Sequence, residues 1–109
     1  KGKAKAGDLQ AQTRLGVSYL YGVDGLFPPD VDRGLETLYN AGTKGFAQAF
    51  CIIGRYWSLE GHERKAYPWF ERASQMGDAG ACWERAIRLE SGKGVPKDFE
   101  AVREFFFCL

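Results

Sequence analysis

"RLGVSYLYG", Arg14 to Gly22, reads as a helix with a glycine in its middle. An interior helical glycine costs about 1 kcal/mol relative to alanine. The residues around Gly16 recur along the chain. Gly7-Asp8, Ala11, Leu15-Gly16, Tyr19 and Gly22 return after a shift of 38 as Gly45, Ala49, Ile53-Gly54, Trp57 and Glu60. After a shift of 70 they return as Gly77-Asp78, Ala81, Arg85-Ala86, Leu89 and Gly92. One helical position is therefore filled by glycine, glycine and alanine. Small side chains recurring there imply the close approach of a neighbouring helix, so Gly16 is architectural rather than catalytic.

Each copy has a second half. Ala66, Trp69-Phe70, Ala73-Ser74 and Gly77 match Gly34, Thr37-Leu38, Ala41-Gly42 and Gly45, and a third version begins at Ala101 with Phe105 and Cys108. Offsets of three, four, seven and eight residues make the apolar stripe of an amphipathic helix. Gly45 and Gly77 suit left-handed helix C-caps, and Asp8 and Asp78 suit the start of the helix that follows. The unit is helix A, loop, helix B and a tight glycine turn. The pattern predicts helix A at 8–21, 46–59 and 78–90, and helix B at 31–42, 63–75 and 98–109. No segment has strand alternation. The fold class is all-α, with units at 7–44, 45–76 and 77–109, the last incomplete, in one domain spanning 1–109.

Composition limits the function classes. The 109 residues are 45% hydrophobic and 15% aromatic, enough to bury a core. With a net charge of +1 and one basic cluster, Lys1, Lys3 and Lys5, the chain has no stripe to neutralise phosphates, so no nucleic-acid partner is expected. No apolar run reaches spanning length, so no membrane insertion is expected. Cys51, Cys82 and Cys108 are odd in number and lack CxxC spacing, which argues against a disulfide framework or zinc site and favours a reducing, cytoplasmic compartment.

The chain resembles the Sel1-like repeats, relatives of the tetratricopeptide repeat. The resemblance rests on "AQTRLGVSYLYG", "KAYPWFERASQMGDAGA" and "GKGVPKDFEAVREF" and covers nearly the whole sequence. The "GKGVPKDFEA" loop is its most specific part, because tetratricopeptide repeats turn more tightly between their helices. The resemblance implies an α/α superhelical solenoid of about three helix-loop-helix units, with a concave groove that binds other proteins. The first unit departs from it by three extra residues in "GVDGLFPPD", and the second is three short in "LEGHERKA". Arg85 stands where the pattern wants leucine and predicts either imperfect packing of the third helix A or a polar neighbour. Pro68 predicts either a kink in the second helix B or a later start to it. Cysteine-rich members of the family bridge paired helices, but Ser74 occupies the place where Cys82 would need a partner.

On helix A, Ala11, Leu15, Gly16 and Tyr19 are expected to point inward. The opposite side carries the columns Thr13–Cys51–Trp83, Arg14–Ile52–Glu84, Val17–Arg55–Ile87 and Tyr21–Leu59–Ser91. In helical repeats of this type helix A lines the concave surface. The partner-binding candidates are therefore Arg14, Val17, Tyr21, Ile52, Arg55, Leu59, Trp83, Glu84 and Ile87, a mixture of aromatic, aliphatic and Arg side chains of the kind found at interface hot spots.

Catalysis finds little support. His62 is the only histidine and reads as a solvated loop residue, with no cysteine placed beside it. "SGKG", Ser91 to Gly94, lacks the spacing of a phosphate loop. No cofactor or metal is expected. The expected function is a non-catalytic interaction scaffold whose partner is another protein or peptide. The alternative is a structural or regulatory segment packed against other domains of its own longer chain. The terminal "REFFFCL" places three rings around one helix, and "KAKAG" resembles the tail of a preceding helix B, so the chain is expected to be cut from a longer array and to self-associate through its C-terminal end.

Overall fold

The computed structural model describes residues 6–108, with side chains described from Asp8 to Arg103. Six helices run in chain order: α1 (Ala6–Tyr21), α2 (Val31–Thr43), α3 (Ala47–Leu59), α4 (Glu63–Gln75), α5 (Ala79–Ser91) and α6 (Phe99–Cys108). Among the described residues there is no strand, only an isolated bridge between Val23 and Phe27. The helices pair as α1 with α2, α3 with α4 and α5 with α6, and each second helix packs on the first helix of the next pair. The result is an all-α solenoid, 45 × 34 × 17 Å.

The helix ends follow from local chemistry. Asp30 caps α2 by accepting from the Arg33 N–H at 3.2 Å, and Asp78 caps α5 by accepting from the Ala81 N–H at 2.8 Å. Asp98 does the same for α6, accepting from the Ala101 N–H at 3.1 Å. Asp8 does not start its helix: α1 already begins at Ala6, so this carboxylate lies inside the first turn. There it still opposes the positive end of the helix dipole.

Gly45 and Gly77 have φ of 108° and 98°, the left-handed conformation that their positions called for. The Gly45 N–H donates to Gly42 O and the Phe46 N–H to Ala41 O; Gly77 and Asp78 repeat this with Ser74 and Ala73. Each set is a Schellman closure, which satisfies carbonyls that the helix end leaves open. The α2-to-α3 and α4-to-α5 connections are thus the same three-residue turn, 44–46 and 76–78.

Gly16 meets a neighbour as its recurrence predicts. A Cβ there would lie 2.8 Å from Leu38 Cγ, and one on Gly34 would lie 2.9 Å from the Gly16 carbonyl oxygen. In the second pair, a Cβ on Gly54 would lie 2.8 Å from Phe70 Cε1. Contacts this short exclude any side chain, so glycine's propensity cost is offset by close helix packing.

The core runs continuously from Leu20 and Leu38 through Phe50 and Ile53 to Phe70 and Ala81. Ala86, Leu89 and Val102 form a smaller cluster between α5 and α6. Trp57, the counterpart of Tyr19 on the side expected to face inward, is only partly buried; it packs on the core edge with Lys65 Nζ 4.8 Å from its ring centre. Ala11 and Leu15 were expected to face inward but are exposed, Leu15 at 47%. Their counterparts Ala49 and Ile53 are buried because α2 packs against that side of α3, where Phe50 meets Gly42. No described element packs on the same side of α1. Helix α4 begins at Glu63 and runs through Pro68, so the later start is not observed. Pro68 is exposed, and the hydrogen bond it omits lies on the solvent side. The expectations for Lys1, Lys3, Lys5, the Phe105–Phe107 rings and the Cys108 thiol lie outside the described side chains.

Candidate protein-binding surface

Helices α1, α3 and α5 line up along one face. The Tyr21 and Tyr56 rings join α1 to α3 at 6.3 Å, and Arg55 joins α3 to α5 through Glu84, Nε to Oε2 3.4 Å. Burial holds both phenols above their usual pKa, and each gains from nearby negative charge, Tyr21 also from its proximity to Tyr56. Between α1 and α3 lies an open groove of about 340 Å³. Arg14, Val17 and Ile52 line it, together with Gln10, Gln48 and Phe46. Three of the predicted contact residues therefore converge on one groove, with a cation at its rim and aliphatic side chains on its walls. Tyr21 and Leu59 stand exposed along the same face, at 49% and 76%.

One predicted column does not face outward. Thr13 and Cys51 are 4% and 2% exposed. The Thr13 hydroxyl donates to Leu9 O at 2.8 Å, and the Asp78 carboxylate at the start of α5 helps to raise the Cys51 thiol pKa. A helix-A residue in this column is covered by the first turn of the next helix A. Its third member, Trp83, is 52% exposed, with Ile87 one turn on at 39%. Trp83 and Ile87 therefore lie at the outer edge of α5, apart from the α1–α3 groove.

Sequence reading missed a polar cluster at the back of this face. Arg88, at 6% exposure, reaches three helices. Its Nε donates to Glu63 Oε1 at 3.0 Å, its Nη1 to Glu84 Oε1 at 2.7 Å and its Nη2 to Ser58 Oγ at 2.8 Å. The Ser58 hydroxyl donates in turn to Glu63 Oε2 at 2.8 Å, and the guanidinium lies 4.3 Å from the Phe70 ring centre. Only the Glu84–Arg88 pair, one helical turn apart, was visible as a sequence signal. Of the two alternatives for Arg85, the polar neighbour is the one observed: it donates to Ser74 Oγ at 2.8 Å and to the Tyr67 hydroxyl at 3.3 Å.

The reactive side chains are placed for structure. Burial pushes the Cys51 thiol up to about 11, with Arg55 opposing the shift. His62 is exposed at the N-cap of α4, its ring 5.8 Å from that of Trp57. Among the described residues no group of three His, Cys, Asp or Glu could hold a metal ion, and no helix is long and apolar enough to cross a membrane.

Paired helices closed by glycine turns, with every first helix on one face, define an α/α repeat solenoid. Among solved structures the fold is similar to a Sel1 repeat protein from Oxalobacter formigenes, at 30% identity and a TM-score of 0.73, covering 94% of this chain and 79% of that one. It is also similar to a protective antigen with an SLR fold present in uropathogenic Escherichia coli strains, at 24% identity and a TM-score of 0.72; there the match spans 94% of this chain but 22% of the other. No protein-family model and no curated protein matches the sequence. The chain belongs to the Sel1-like repeat family.

Proposed function

We propose that this protein is a non-catalytic scaffold that holds a partner protein or peptide on the surface of α1, α3 and α5. The observation that carries the reading is the α1–α3 groove, where Arg14, Val17 and Ile52 meet around about 340 Å³ of open space. A groove of this size accepts one or two side chains of an extended segment, and Arg14 offers a charge-assisted hydrogen bond at its rim. Tyr21, Leu59 and Arg55 extend the surface along α1 and α3, and Glu84 orients Arg55 from α5. The units 7–44, 45–76 and 77–109 then act as one array, each contributing a helix to the surface.

Panning a library of extended peptides against the chain tests the proposal. Enriched peptides should lose binding to Arg14→Glu and Ile52→Asp variants and keep binding to Leu26→Ser, which changes an exposed loop residue away from the groove. Binding that is indifferent to all three substitutions would count against the groove.

A further inference from the structure

Three rings meet where α2, α3 and α4 join. Tyr39 lies 5.9 Å from Phe50 and 6.1 Å from Trp69, and Phe50 lies 5.7 Å from Trp69, centre to centre. Phe50 fills the notch left by Gly42 and is buried, whereas Tyr39 is 40% exposed and Trp69 is half-buried. The exposed Arg72 rests its guanidinium on this platform, 4.5 Å from the Phe50 ring centre and 5.5 Å from that of Tyr39. The cluster sits inside the array, with α1 packed on α2 before it and α5 packed on α4 after it. The repeat does not call for these side chains. In the matching positions of the other helix B, Thr37 stands for Trp69, Glu71 for Tyr39 and Asn40 for Arg72. Glu71 is also paired, with Arg85 Nη2 at 3.8 Å. Among the described residues the Arg72 guanidinium has neither an ion pair nor a hydrogen bond.

We propose that this junction is a second docking surface, separate from the α1–α3 groove, which takes an acidic segment of a partner protein: a carboxylate on Arg72 and an adjoining apolar side chain on Tyr39 and Trp69. Charge complementarity selects the occupant. The rings hold the guanidinium plane before the partner arrives and leave its N–H donors to solvent. A planar fork fixed in this way matches a carboxylate with two parallel hydrogen bonds, and little freedom remains to be lost on binding. Tyr, Trp and Arg together are also the residues that carry most binding energy at protein interfaces. Nucleobases stack on such rings too, but with a net charge of +1 and no basic stripe the chain has no track for a phosphate backbone.

Titrations followed by NMR at the indole N–H of Trp69, assigned by its loss in Trp69→Phe, test this on the whole chain. The probes are the blocked peptide Ala-Glu-Phe-Asp-Leu-Ala and its neutral counterpart Ala-Gln-Phe-Asn-Leu-Ala. The acidic peptide should shift the Trp69 signal saturably, and the neutral one should bind about tenfold more weakly or less. Arg72→Gln should lower the affinity for the acidic peptide to that for the neutral one, with helical circular dichroism unchanged because the side chain is exposed. Arg72→Lys, which keeps the charge without the fork, should fall between the two. Arg14→Glu, in the other groove, should leave the Trp69 response as it is. If Arg72→Gln disturbs the circular dichroism, salt replaces it: added salt should weaken binding of the acidic peptide and spare the neutral one. A Trp69 signal that the acidic peptide does not move overturns the proposal. So does equal affinity for the two peptides, or tighter binding of a single-stranded oligoadenylate at the same signal.

Discussion

Arg88 and Glu63 lie 25 residues apart in the chain and meet side chain to side chain at 3.0 Å, tying α5 to the first turn of α4. The Arg88 side chain is 8% exposed and that of Glu63 is 25% exposed. The guanidinium also serves Glu84 and Ser58, so every polar atom it brings inside has a partner. Removing one member of such a cluster leaves its partners desolvated without compensation. Arg88→Ala should destabilise the chain by about 3 kcal/mol, read as a lower urea midpoint. Glu63→Gln, which keeps the shape and a hydrogen-bonding oxygen, should cost less. Equal losses for the two variants would show that the charge plays no part.

Gly54 lies against the Phe70 ring with no room for a methyl group. Gly54→Ala gains helix propensity but forces the ring aside, and overpacking of this kind costs about 1–3 kcal/mol. Gly54→Leu should prevent the pair from closing. A thermal melt indifferent to both substitutions would mean that α3 and α4 do not pack as described.

Phe70 is fully enclosed and Trp57 is not. Phe70→Ala should therefore cost about 3–5 kcal/mol. Trp57→Ala should cost about 2 kcal/mol, since much of its ring already faces water and the loss scales with area removed from the core. Chemical denaturation of the two variants checks the order, which a repeat alignment alone would not predict.

Cys51 links burial to alkaline stability. Its pKa rises from an ordinary 9.0 to about 11 because ionisation would place a thiolate in the core. The contribution is complete below pH 9. Between pH 9 and 11 the unfolded chain releases this proton while the folded chain keeps it, so stability falls, by an amount on the order of 2 kcal/mol. Cys51→Ala should remove that part of the alkaline slope. In the native wild type at pH 8 the thiol should resist iodoacetamide and react only after denaturation.

The helices were legible in the sequence because their signals are local. Apolar spacing, Asp78 as a cap and the glycines that close each pair all act within a few residues, and the observed boundaries fall within two residues of those expected. Which side of helix A is covered was harder to read. Leu15 and Ile53 occupy the same place in the repeat, yet one is exposed and the other buried, because burial depends on whether another pair lies alongside. The Thr13–Cys51–Trp83 column failed for the same reason. Arg88 escaped notice because its principal partner, Glu63, comes from another helix pair, a distance that no periodicity encodes.

The connections between helices differ in how much they vary. The links within pairs span 22–30, 60–62 and 92–98, yet α1–α2 and α3–α4 pack equally closely although nine residues join the first and three the second. The links between pairs are 44–46 and 76–78, alike in length and bonding. Tether length within a pair therefore does not set helix registration; the meeting of Gly16 with Leu38, or Gly54 with Phe70, does. One margin of the array is free to lengthen, shorten or accept a spliced reporter peptide, as the tight Val23–Phe27 loop with Leu26 at its tip already illustrates. The opposite margin works as a fixed hinge-pin, because the paired backbone bonds at 44–46 and 76–78 close each turn at three residues and an added residue would break them.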